Sequence, residues 1–193
     1  MRILVTGVNG FVGNSLCDVF VTSAHHVIAC ARSQTSWGGG KQVLVPILDG
    51  ETDWKKHLVD RDTVIHLAAR VHVMHEQLLN PLDAYRETNV DGTLNLARQA
   101  AQAGVKRFIF ISSIKVNGEH TPIGKAFTAF DMPNPQDPYG ISKYEAEQGL
   151  LELAEETDME VVIIRPPLVY GPGVKGNFAS MMKWVQAGWP LPL

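Results

Sequence analysis

Apolar residues along this chain fall into short, nearly unbroken runs. Residues 3–5, 27–30, 43–47, 64–67, 108–111 and 161–164 are rich in β-branched and aromatic side chains and read as strands. Runs that are apolar throughout, without polar alternation, belong to strands covered on both faces. Between them the spacing predicts helices over 11–21, 81–103 and 139–156. Strand and helix alternating in this way imply a parallel sheet with right-handed crossovers, an α/β Rossmann-like doubly wound fold.

Three stretches escape this pattern. Residues 33–40 (SQTSWGGG) form a loop after the second strand. Residues 117–138 carry Pro122, Pro133, Pro135 and Pro138 and are expected to make a long surface excursion of the kind that serves function. From Pro166 onward the chain is rich in Gly and Pro. There is no internal repeat.

Composition narrows the partners. A length of 193 residues gives one sizeable domain, and a net charge of −3 offers no polycation for nucleic acid and no basic face for a membrane. Cys17 and Cys30 lie in apolar elements without metal or redox spacing, as reduced core thiols do. The N-terminal apolar run is too short for a signal peptide, and no stretch approaches the ~20 residues of a membrane span. A cytoplasmic location is expected.

Directly after the first strand comes Thr6-Gly7-Val8-Asn9-Gly10-Phe11-Val12-Gly13, opening a helix. Gly7 permits the tight turn, Gly10 lets backbone approach a pyrophosphate, and Gly13 lets helix and strand pack closely. The helix N-terminus offers free N–H groups to phosphate. After the second strand, where an NAD site carries an acid, the chain reads Ala29-Cys30-Ala31-Arg32-Ser33. Arg32 either clamps a 2′-phosphate, which favours NADP over NAD, or is a solvated arginine at a strand end.

Tyr139-Gly-Ile-Ser-Lys143 opens the last long helix. Four residues make about one turn, so Tyr139 and Lys143 share a face. A phenol titrates near ~10 and is a poor base at neutral pH; a nearby ammonium lowers that value toward the working range.

The glycine spacing, His66-Leu67-Ala68-Ala69, Asn89-Val90-Asp91-Gly92-Thr93, Ser112-Ser113, Tyr139 to Lys143 and Arg165-Pro166-Pro167-Leu168-Val169-Tyr170-Gly171-Pro172 occur in that order. In this the chain resembles, along essentially its whole length, the extended branch of the short-chain dehydrogenases/reductases: nucleotide-sugar epimerases, dehydratases and ketoreductases. The resemblance implies that Ser113 joins Tyr139 and Lys143 as a catalytic residue touching the substrate oxygen, with Ser112 as the alternative register. It implies that Lys143 holds the nicotinamide ribose, that Leu67, Ala68 and Ala69 line the cofactor cleft, and that Asn89 fixes the structure beneath it. Pro166 and Val169 are implied near the nicotinamide, and Asn177 and Phe178 at the substrate's diphosphate and base. Such enzymes commonly form homodimers through their long helices, here the ones opened by Pro81 and Tyr139 and closed by Ala103 and Glu156.

Three departures from the family pattern matter. Dehydratases place Asp-Glu after the catalytic Ser/Thr to serve elimination; Ile114 and Lys115 stand here, so dehydration is disfavoured. The family's adenine-holding Asp after the third strand is replaced by Ile47, leaving Leu48 and Asp49 as neighbours of the adenine or Asp49 as a turn residue before Gly50. Finally, the chain stops where such enzymes begin a smaller substrate domain. Residues 1–170 are therefore read as the dinucleotide-binding domain and 171–193 as the start of a substrate domain largely missing, which alone is expected to bind nucleotide without turning over a sugar.

The expected activity is oxidation and re-reduction of a sugar carbon, C4 of a UDP-hexose, as in a nucleotide-sugar epimerase. The alternatives are an NADPH-dependent 4-ketoreductase and, in another class, a non-catalytic nucleotide-sensing protein. No metal is expected: His72 and His75 are three apart but lack further clustered ligands, and His66 reads as a satisfied core histidine. Lys55 and Lys56 read as a solvated helix face, and Trp184 and Trp189 as packing residues.

Overall fold

A computed structural model describes residues 1–34, 37, 40–71, 80–174 and 176–189. Six parallel strands form one sheet: β1 (Arg2–Thr6), β2 (His26–Ala31), β3 (Lys41–Leu44), β4 (Thr63–His66), β5 (Arg107–Ile111) and β6 (Glu160–Ile164). Their order is β3-β2-β1-β4-β5-β6, the doubly wound arrangement in which direction reverses between β1 and β4. At that reversal the crossovers leave on opposite faces and open a crevice at the strands' carboxyl ends.

Alternate side chains on each strand feed two cores. Leu4, Ile28, Cys30, Val64, Phe108 and Phe110 point to one face, under α4 (Thr93–Gln102) and α5 (Pro138–Glu156). Ile3, Val5, Val27, Ala29 and Ile65 point to the other, against Leu16, Cys17 and Phe20 of α1 (Phe11–Val21). That second face is covered unevenly. A single helix does not span six strands, and Val162 and Ile164 on β6 remain 38% and 44% exposed. The expectation of strands sealed on both faces therefore holds for β1 and β4 and fails at β6.

Other boundaries move for local reasons. The third strand ends at Leu44, not at 47, because after Val45 donates to Ala31 O the chain reaches Pro46, which has no N–H to continue the ladder. The helix expected over 81–103 is three segments, α3 (Pro81–Arg86), a π-helical stretch Glu87–Gly92 and then α4. Gly92 lies where an added Cβ would meet the Leu48 carbonyl at 2.9 Å, so the π stretch brings helix backbone hard against the loop after β3. A four-residue α2 (Lys55–Leu58) exposes Lys55 and Lys56 as expected, and α6 (Gly176–Gln186) forms in the tail, where the sequence offered no helix signal. Residues 117–137 hold neither helix nor strand, in line with the predicted excursion. Among the described residues, no helix is long and apolar enough to cross a membrane.

Candidate active site

A cavity of about 760 Å³ lies at the β1/β4 reversal. Gly7, Gly10, Phe11, Val12, Gly13, Arg32, Leu48, Leu67, Ala68 and Ala69, all expected at a cofactor, line it. The glycines are there by necessity. Gly7 has φ +74°, and a Cβ on it would come within 2.5 Å of Ala68 N; one on Gly13 would come within 2.2 Å of Gly7 O. Gly10 is the N-cap of α1, whose first turn carries no acidic side chain to repel an anion. The facing segment 67–69 is held from β1: Thr6 O accepts from Leu67 N at 3.3 Å, and Thr6 Oγ1 accepts from Ala68 N at 3.3 Å.

Thr6 is itself held by His66, which is fully buried. Its Nδ1 lies 2.7 Å from Thr6 Oγ1 and its Nε2 3.0 Å from Thr93 Oγ1, so both ring nitrogens are satisfied, as a core histidine's must be. Burial, then the Lys143 ammonium, pushes its pKa down to about 3. His72 and His75 lie outside the described residues; among those described, no group of three metal-ligating side chains comes together. Cys17 and Cys30 are free and buried, with burial raising their thiols to about 11 and about 12.

Asp49 is placed in a turn. Its Oδ1 accepts from Glu51 N at 3.0 Å, Thr52 N at 2.9 Å and Thr52 Oγ1 at 2.8 Å, and the Thr52 hydroxyl bond leads in lowering its pKa. The cavity wall at this end is Val45, Pro46, Ile47, Leu48 and Trp54. Asn9, Glu87 and Thr88 also line the cavity without having been anticipated. Asn9 Nδ2 donates to Ser33 O at 3.2 Å, tying cradle to loop, a contact that spacing alone does not reveal.

The catalytic candidates gather at the carboxyl end of β5. Ser113 is the N-cap of a 3-10 turn, Ile114–Val116, its hydroxyl accepting from Lys115 N at 3.2 Å, and it favours ionisation of the Tyr139 phenol. Ser112, the alternative register, is buried with its hydroxyl unpaired. Asp137 caps α5, its Oδ1 accepting from Gly140 N at 2.6 Å, and Pro138 occupies the first turn, where no N–H is needed. Tyr139 is thereby held one turn before Lys143. The Tyr139 phenol is pushed up by burial first and by Asp137, against the pull of the Ser113 hydrogen bond and the Lys115 ammonium. Lys143 is 1% exposed, with Nζ 4.0 Å from the centroid of the Phe110 ring, and burial lowers it from 10.5 to about 7. The Lys143 amine thus lies over the face of the Phe110 ring.

Around this pair runs a connected polar frame. Ser142 Oγ donates to Tyr139 O at 2.8 Å and accepts from Asn89 Nδ2 at 3.0 Å. Asn89 Oδ1 accepts from Arg70 N at 2.7 Å, tying this stretch of helix to the segment after Ala69. Glu147, 1% exposed, takes both Nε and Nη2 of Arg165, whose Nη1 donates to Asn117 Oδ1 at 3.2 Å. Pro166 follows directly and is half-buried, its carbonyl accepting from Ile114 N; Val169 is exposed. Phe178 stacks on Tyr170 with ring centroids 5.1 Å apart, and the Asn177 side chain lies outside the described residues.

Residues 3–188 match the model of the NAD dependent epimerase/dehydratase family. The chain belongs to that family. Within it the motif order places the chain in the extended short-chain dehydrogenase/reductase epimerase branch, as implied by its sequence. It is 49% identical over 191 residues to a UDP-glucose 4-epimerase of Vibrio cholerae, covering 98% of this chain and 58% of that protein. It superposes on MoeE5 in complex with UDP-glucose and NAD with a TM-score of 0.82 at 28% identity, covering 99% of this chain and 63% of that one. A UDP-glucuronic acid 4-epimerase from Bacillus cereus in complex with NAD gives 0.82 at 29% identity, with 99% and 64% covered.

The residues present fit the family's dinucleotide. Side chains at Gly7 and Gly13 would collide with the Leu67–Ala68 backbone and with the Gly7 carbonyl, so only glycine permits this turn, and the N-terminus of α1 presents N–H groups that no side chain caps.

Proposed function

We propose that this chain is the nucleotide-binding and catalytic part of a nucleotide-sugar 4-epimerase acting on a UDP-hexose. The observation that carries this reading is a glycine cradle that admits no Cβ, with Tyr139 and Lys143 one turn apart on α5 past the carboxyl end of β5. The cradle and the N-terminus of α1 hold the pyrophosphate, while Leu67 to Ala69 and Leu48 wall the cleft. Bound there, the nicotinamide supplies reversible hydride exchange with the sugar. Ser113 orients the sugar oxygen, and the Tyr139 phenolate takes its proton. Lys143, buried one turn beyond Tyr139 on α5, holds the nicotinamide ribose. The Vibrio relative and the MoeE5 complex, with a UDP-sugar in their names, support this substrate class.

A second reading, an NADPH-dependent ketoreductase, is favoured by Arg32 in the cavity wall at a strand end without an acid. Mass spectrometry of nucleotide that co-purifies with the chain separates them. Firmly held NAD supports the epimerase. An empty site that prefers NADPH supports the reductase, and failure to bind either nucleotide overturns both.

A further inference from the structure

Lys143 and Glu147 stand one turn apart on α5, and both are 1% exposed. Side chains at that spacing on a helix are within reach of each other, and opposite charges there attract. Glu147 is nevertheless turned to Arg165, the residue that follows β6. Arg165 Nε donates to Glu147 Oε1 at 3.0 Å and to Oε2 at 3.2 Å, and Nη2 donates to Oε2 at 2.5 Å. The third nitrogen, Nη1, donates to Asn117 Oδ1 at 3.2 Å. Asn117 is itself buried, closes the 3-10 turn that Ser113 opens, and donates through Nδ2 to Thr128 O at 3.0 Å. The guanidinium is thus fixed on two sides, and its planar fork holds the carboxylate in one orientation. Both oxygens of Glu147 are taken, and the Lys143 amine lies over the Phe110 ring, 4.0 Å from its centroid.

We propose that Arg165 is a positioning residue for nucleotide binding: by occupying Glu147 it keeps Lys143 from pairing along the helix and leaves the amine to the nicotinamide ribose. The physical ground is the cost of a buried charge without a partner. Without Arg165, Glu147 would be a carboxylate in the core with one cation a single turn away, and that cation is Lys143. The pair would close along α5 and draw the amine away from the cleft. Without Glu147 as well, nothing draws it.

The inference rests on the reading that Lys143 holds the nicotinamide ribose. Its test is a double-mutant cycle on the full chain, measuring by calorimetry the affinity for whichever of NAD and NADPH the wild type binds more tightly. Lys143→Met and Arg165→Met are each expected to weaken binding by about tenfold or more, as for a lost hydrogen bond to a charged group. Because both act through one amine, the double variant Lys143→Met/Arg165→Met is expected to bind no more weakly than Lys143→Met alone. Arg165→Met/Glu147→Gln, which removes the competing carboxylate too, is expected to recover most of the affinity although the tie between α5 and the end of β6 is gone. A tie of purely structural effect would add its loss to that of Lys143→Met and stay unrelieved by Glu147→Gln; either result overturns the proposal and leaves the reading of Lys143 standing. Should Arg165→Met fail to fold, Arg165→Lys, which keeps the charge but not the fork, is judged by the same criteria. Lys143→Met with wild-type affinity, or a wild-type chain that binds neither nucleotide, overturns the reading of Lys143 and the inference with it.

Discussion

At the nucleotide end of the site, room is made by leaving side chains out; at the catalytic end, polar side chains are crowded in and made to satisfy one another. The cradle depends on Gly7 and Gly13, where a Cβ would lie within 2.5 Å and 2.2 Å of backbone. The catalytic corner depends on Lys143, Glu147, Ser142 and Asn89, all buried and all bonded or stacked. The first kind of site is rigid and indifferent to pH, since backbone N–H groups do not titrate. The second has its properties set by burial and charge, and changes when either does.

The contrast is broken most severely at Gly13. Gly13→Ala is expected to abolish nucleotide binding, measured by calorimetry, whereas Gly10→Ala, whose Cβ would meet only Gly7 O at 3.1 Å, weakens it less. Equal losses would mean that the cradle is not defined by space. At the other end, Tyr139→Phe should leave nucleotide affinity, measured by the same calorimetry, within about twofold of wild type, because the phenol serves the chemical step. A parallel loss of affinity would merge the two regions into one. Asn89→Ala leaves the Arg70 backbone and Ser142 without their partner and should cost about 1–3 kcal/mol in denaturant unfolding.

The pH prediction belongs to the catalytic end alone. Lys143 releases its proton near about 7 when folded and near 10.5 when unfolded, so between those values the unfolded chain binds the extra proton. Stability should therefore rise as pH is raised from about 7 toward 10, and the cost of burying the charge should be fully present below about 7. Lys143→Met should flatten that rise in unfolding curves taken at pH 7 and pH 9. An unchanged slope would show that the titrating group lies elsewhere.

How much was legible in the sequence follows the same division. Glycine spacing, apolar runs and the Tyr-to-Lys interval are local patterns, and they located the glycine turn, the parallel sheet and the helix that carries Tyr139 and Lys143. What escaped depends on contacts between distant segments. Nothing in the residues around Lys143 says that it will turn onto Phe110, nor that Lys115 will meet Asp137 across the excursion. Asp49 reads equally as an adenine partner or a turn residue until Thr52 is seen closing on it. The third strand stops short of the apolar run that predicted it through residue 47, because Pro46 cannot donate to the ladder.

The π-helical stretch Glu87–Gly92 has a mechanical consequence. Glu87 and Thr88 form part of the cavity wall, while the buried amide of Asn89 next to them grips both the Arg70 backbone and the Ser142 hydroxyl. A single wide turn of helix thus ties two ends together. The wall at Glu87 and Thr88 and the segment leading to Arg70 are joined through one amide to Ser142, the residue that bonds the Tyr139 carbonyl. The two ends of the site share one buried anchor.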